Sequence, residues 1–155
     1  MKTIAQNRNR TLHLIDIENL AGGPLSGDDA GHTLRAYLHA AQWRPGDLVY
    51  VAAHPKVLQR FAWDLPVEAN LRAAHGPDGA DLALLAQCPP EFVARRAQRL
   101  VIGSGDHIFI ERARAVRSSG VGVAVVARGA ESLAPGWRAY GFPVKLLDQA
   151  LSLAA

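Results

Sequence analysis

The sequence predicts an α/β protein, a three-layer α/β/α domain around a central, mainly parallel sheet. Three observations carry this. Short apolar runs of strand length alternate with segments of helical periodicity, the pattern of strands joined by helical crossovers. One run, "RLVIGSG" (99–105), is of the kind buried on both faces. The 155 residues contain no repeat and no low-complexity linker, and they suffice for one domain with a sizeable core. The expected organisation is a polar, basic tail over residues 1–10 and a single domain over 11–155.

The elements follow in order. "TLHLID" (11–16) is a first strand. "DDAGHTLRAYLHAAQ" (28–42) is a helix, with Leu34, Leu38 and Ala41 on one face, broken by "RPG". "DLVYVAAH" (47–54) is a second strand, and "PKVLQRFAWD" (55–64) is a helix opening on proline. "VEANLRAA" (67–74) is an edge-like third strand, followed by the loop "HGPDG". "ADLALLAQ" (80–87) is a short helix and "PPEFVARRAQ" begins another. After "RLVIGSG", "DHIFIERARAVRSSG" (106–120) is a helix closed by Gly120. "VGVAVVAR" (121–128) and "FPVKLL" (142–147) are the last strands.

Composition narrows the function classes. The chain is 49% hydrophobic and 20% charged, as soluble globular proteins are, and no apolar run approaches the ~20 residues of a membrane span. "MKTIAQNRNR" lacks the apolar segment of a secretory signal, so a cytoplasmic location is expected. Cys88 is the single cysteine, which excludes an intrachain disulfide and a cysteine zinc site. No His-x₃-His pair supplies another zinc site. A net charge of +3 and a pI of about 9.4 are compatible with nucleic acid without identifying it.

In open parallel sheets, functional groups gather beyond the carboxyl ends of the strands. Asp16 ends the first strand, with Glu18 and Asn19 just beyond. Asp106 follows "VIGSG", and Asp78 and Asp81 lie where a loop enters a helix. Asp81 and Asp106 each also read as a helix N-cap, and Asp148 as another; Asp28 and Asp29 read as first-turn acids. Asp16 is expected to have no helix of its own to cap. Converging carboxylates repel one another unless a cation neutralises them. Hard oxygen donors suit Mg²⁺ or Mn²⁺, and such a site suits phosphodiester hydrolysis.

Three segments carry a family likeness: "LIDIENL" (14–20), "GPDGADLALL" (76–85) and "VIGSGDHIF" (101–109), continued by "GVGVAVVARG" (120–129). In this order the chain resembles the NYN family, a branch of the PIN-like nucleases, over residues 11 to about 147. The resemblance implies a PIN-like fold and divalent-metal nuclease activity, usually on RNA. It implies Asp16, Asp81 and Asp106 as metal ligands, and Asn19 as the residue orienting Asp16 or a metal-bound water. Ser104 would support the turn, and Gly103 and Gly105 would let the backbone bend tightly. Asp78 would be an outer-shell acid or substitute ligand, with Glu18 also in the outer shell. Many relatives carry a second acid two residues after the turn aspartate. Ile108 stands there in this chain, at a position the resemblance turns towards the metal, so a second cation lacks a ligand.

Candidate substrate contacts on the same edge are His54, Lys56, Arg72, His75, His107 and Arg128, arginine being a bidentate phosphate partner. Arg95, Arg96, Arg99, Arg112, Arg114 and Arg117 read as helix-surface residues. Trp43, Trp63 and Trp137 read as core or edge packing before base stacking. His13 belongs to the interior of the first strand or a helix-facing surface. A receiver-type phosphoacceptor domain is disfavoured, because "EANLRAAHG" ends in no aspartate. "DIENLAGG" lacks the G-x-G-x-x-G of a dinucleotide-binding turn. The expectation is therefore a metal-dependent ribonuclease acting on single-stranded or structured RNA, with no membrane partner and homodimerisation left open. The alternative is a PIN-like module that binds RNA without cutting it.

Overall fold

The computed structural model describes residues 9–23, 27–76 and 78–148. Of the expected basic tail, residues 1–8 lie outside this set, as does the side chain of Asp28. β1 (Thr11–Asp16) is buried along its whole length. Its alternation sends Leu12 and Leu14 to one face of the sheet and Ile15 to the other. β2 (Leu48–Ala53), β3 (Asn70–Ala73), β4 (Arg99–Gly103), β5 (Gly122–Ala127) and β6 (Val144–Leu146) complete a six-stranded sheet. The order is β3-β2-β1-β4-β5-β6, and every neighbouring pair is parallel.

Parallel neighbours need crossovers, and here these cover both faces. α1 (Ile17–Ala21), α2 (Gly27–Ala40) and α3 (Pro55–Phe61) lie on one side. There Ile17, Leu34, Tyr37 and Phe61 pack on Ile15, Val49, Val51 and Val101. α4 (Gly79–Leu85), α5 (Pro90–Arg96), α6 (Ile110–Ser118) and α7 (Pro135–Ala139) lie on the other. There Leu84, Val93, Val116 and Trp137 pack on Leu12, Leu14, Leu100 and Val125. The result is a three-layer α/β/α fold. From β1 the chain proceeds to β2 and β3; from β4 it proceeds the opposite way, to β5 and β6. β1 and β4 therefore flank the topological switch point, where a crevice opens beyond the strand ends.

Several elements differ from expectation. The third strand is only four residues long, because it bonds to β2 alone and ends the sheet. The helix expected from Asp106 starts as a single 3₁₀ turn, His107–Phe109, before α6. α1 and α7 were not expected. α1 runs between a capping Asp16 and Gly22, whose φ of 86° stops it. α7 opens on Pro135 and buries Trp137 completely. Trp63 packs in neither core nor edge, being 91% exposed. Arg99 opens β4 rather than lying on a helix. Arg112 is only half-buried surface, since its Nη1 donates to the carbonyls of Leu85 (2.8 Å) and Cys88 (3.1 Å).

His13 is fully buried between the sheet and α2. Its Nδ1 lies 2.9 Å from the Tyr37 hydroxyl and its Nε2 3.0 Å from Asp47. Burial holds the imidazole pKa below its ordinary value despite Asp47. Burial would raise the Asp47 carboxyl, but the N–H groups of Thr11 and Arg44 and the His13 ring outweigh it and hold it low. Among the described residues no helix is long and apolar enough to cross a membrane.

Candidate functional site

The sheet brings two strand ends together at the switch point. Ile15 pairs with Gly103, so Asp16 and the Ser104-Gly105-Asp106 turn leave the sheet side by side. Asp16 does have a helix to cap: its Oδ1 accepts the Asn19 N–H at 3.2 Å and starts α1. Asp106 likewise caps the 3₁₀ turn, its Oδ1 accepting the Ile108 N–H at 3.0 Å. Its own N–H donates to Ser104 Oγ at 3.2 Å, so the buried serine does support the turn. Asp81 is not a cap. Asp78 takes that position in a left-handed conformation (φ 59°) without a capping bond. Asp81 lies within the first turn of α4, 6% exposed, and among the described residues nothing donates a hydrogen bond to it.

Burial pushes the Asp81 pKa up to about 7, and the charges of Asp106, Asp16 and Asp78 push the same way. Burial, with Glu18 and Asp106, pushes Asp16 up to about 6 against the hydrogen bond from Asn19. The three aspartates thus lie within electrostatic reach of one another. Among the described residues no Lys or Arg pairs with any of them; only the exposed His107 approaches, its Nδ1 3.2 Å from Asp106 Oδ1. Asp16, Glu18, Asn19, His54, Asp78 and Asp81 line a cleft of about 500 Å³, with Asp106 outside that lining.

No family model, curated protein or solved structure matches this chain.

The donor chemistry fits a hard divalent cation: carboxylate oxygens, mutually repelling, one of them buried without a hydrogen-bond donor. Their spacing does not itself form a closed set. Among the described residues no three His, Cys, Asp or Glu side chains are arranged to hold a metal ion.

The backbone N–H of Asn19, not its side chain, holds Asp16. The Asn19 side-chain oxygen accepts the Gly105 N–H at 3.2 Å and joins the end of β1 to the turn after β4. Glu18 accepts the His54 N–H at 2.9 Å and joins α1 to the end of β2. Neither Gly103 nor Gly105 has positive φ; both are required by close approach rather than a tight bend. A Cβ on Gly105 would lie 2.0 Å from the Ser132 carbonyl oxygen, and one on Gly103 2.8 Å from the Tyr37 ring. The Gly105 carbonyl is also held, by the N–H of Ala134 and by Trp137 Nε1. Nothing in the turn tripeptide signals this clamp, which comes from residues about 30 positions later. Ile108 packs against the apolar core on the α4–α7 side of the sheet.

Of the substrate candidates, His54 lines the cleft, Lys56 is exposed on the first turn of α3, and His75 and His107 are exposed. Arg72 is engaged elsewhere. Its guanidinium stacks over Tyr50 at 5.6 Å and bonds to the Leu71 carbonyl and Gln87. Arg128 pairs with Glu131 at 3.4 Å and packs against Gly22, where a Cβ would meet Nε at 2.9 Å.

Proposed function

We propose that this chain is a divalent-metal-dependent ribonuclease of the NYN branch of PIN-like nucleases, hydrolysing RNA phosphodiester bonds at the switch-point cleft. One observation supports this most. Asp16 and Asp81, with pKa values raised to about 6 and about 7, crowd with Asp106 where, among the described residues, no Lys or Arg pairs with them. A binding site for an organic anion would not be built so, whereas Mg²⁺ or Mn²⁺ relieves the repulsion.

Asp16, Asp81 and Asp106 would hold the ion, and Glu18 and Asp78 would add negative charge around it. When bound, the metal supplies polarisation of the phosphate and a water of lowered pKa. The chain's own contribution is rigidity. The capping bonds fix Asp16 and Asp106, and Asn19 locks their two strand ends together. Exposed Lys56 and His107 are the phosphate contacts, and Arg128 joins them only by leaving Glu131. With Ile108 against the core, the reading is one cation rather than two. The site of action is the cytoplasm.

The test is cleavage of labelled single-stranded and structured RNA with and without Mg²⁺ or Mn²⁺, for the parent and Asp106→Asn. The reading expects metal-dependent cutting that the variant loses while still folding. Binding without cutting, even in Mn²⁺, assigns the non-cleaving module instead. Absence of both binding and cutting overturns the nucleic-acid reading.

A further inference from the structure

We propose that His54 is a substrate-facing donor of this cleft, presenting its Nε2–H to a phosphate oxygen of the bound strand. The proposal rests on the nuclease reading of the same cleft. His54 leaves the carboxyl end of β2 and precedes Pro55, the first residue of α3. It is held at two points. Its backbone N–H donates to Glu18 Oε1 at 2.9 Å, and its ring Nδ1 accepts the Lys56 N–H at 3.2 Å. A nitrogen that accepts a hydrogen bond carries no proton, so the neutral ring carries its proton on Nε2. Among the described residues Nε2 has no partner, and the ring lines the cleft.

The rest of the lining makes this donor matter. Asp16, Glu18, Asp78 and Asp81 are acceptors only when ionised. The Asn19 side-chain oxygen accepts from the Gly105 N–H across the strand ends, which leaves its amide nitrogen as the other side-chain donor of the described lining. A phosphodiester also offers only acceptors and carries negative charge. It therefore needs an N–H donor on the cleft wall as well as a cation. A lysine or arginine here would pair with the carboxylates and compete with that cation. The Lys56 bond occupies Nδ1 and so aims Nε2–H as the ring's donor in advance.

Two substitutions separate substrate contact from helix capping. In His54→Asn the amide oxygen replaces Nδ1 and keeps the cap, but nothing reaches the Nε2 position. In His54→Gln the amide nitrogen reaches that position, but the cap acceptor is misplaced. The measurements are KM and kcat on labelled single-stranded RNA in Mg²⁺ or Mn²⁺, RNA affinity by fluorescence anisotropy, and melting temperature. The expected result is that His54→Asn raises KM and weakens affinity roughly tenfold or more, with a smaller change in kcat and an unchanged melting temperature. His54→Gln should stay within a few-fold of the parent in affinity while melting lower. If His54→Asn matches an active parent in KM and affinity, or both variants lose affinity equally, this assignment is overturned and the nuclease reading stands. If the parent neither cuts nor binds RNA, both are overturned.

Discussion

Replacing Asp81 with Asn should stabilise the protein at neutral pH when divalent metal is absent. The folded-state pKa of Asp81 is raised from 3.8 to about 7, first by burial and then by Asp106, Asp16 and Asp78. The folded chain therefore keeps a proton that the unfolded chain releases. Below pH 3.8 the group is neutral in both states and costs nothing. The cost grows as pH rises from 3.8 and levels off above about 7. About three pH units at ~1.36 kcal/mol each gives an upper bound of about 4 kcal/mol. Solvent at the cleft mouth screens this to about 2 kcal/mol. Asn also removes a first-turn acid from α4, which costs ~0.5 kcal/mol through the helix dipole. No hydrogen bond among the described residues is lost. The net gain of about 1.5 kcal/mol corresponds to a rise in melting temperature of roughly 3–6 °C for a chain of this size. Scanning calorimetry of both proteins in chelator should show that rise near pH 8 and little of it near pH 4. Added Mn²⁺ should then raise the melting temperature of the parent much more than that of the variant. A variant that melts at or below the parent near pH 8, or gains equally at both pH values, would refute the electrostatic account of the cleft.

Asn19→Ala removes the acceptor for the Gly105 N–H and should cost about 1–3 kcal/mol, read as a lower urea midpoint; an unchanged midpoint would mean the strand ends are not joined there. Ile108→Asp puts a carboxylate against the apolar core and should cost on the order of several kcal/mol. Metal-dependent recovery of its melting temperature would instead return position 108 to the ligand set. His13 has a folded-state pKa below its ordinary 6.5, so its contribution to stability is present above 6.5 and is lost as pH falls from there towards the folded value. Its ring NMR titration should therefore show a midpoint below 6.5, and a midpoint at the ordinary value would show that the ring is not buried in solution.

How far the sequence speaks depends on the range of the interaction. The buried strands were legible because runs such as "LVIG" and "VAVVA" are short, apolar and rich in β-branched residues, as strands buried on both faces are. From their alternation with helices, the crevice and the acids at its rim followed. α1 was not legible from periodicity, since five residues make too few turns, although Asp16 and Gly22 are its start and stop signals. Arg72 looks free in the sequence, but Tyr50 from β2 and Gln87 from beyond α4 engage it. Local pattern assigns Gly105 to a bend, whereas the contact that forbids a side chain comes from Ser132. Local sequence offered Asp16 no helix to cap and left Asp106 open between cap and ligand, yet both are caps. Each commits Oδ1 to a backbone N–H, and a carboxylate retains further lone pairs for a cation. In the proposed site, capping would fix each carboxylate before a cation binds, as a preorganised site requires. Asp81 differs: burial in α4 alone positions it, and no cap depends on its charge. Of the three, it is the residue whose substitution reads the repulsion in the cleft without also unmaking the structure that holds the cleft together.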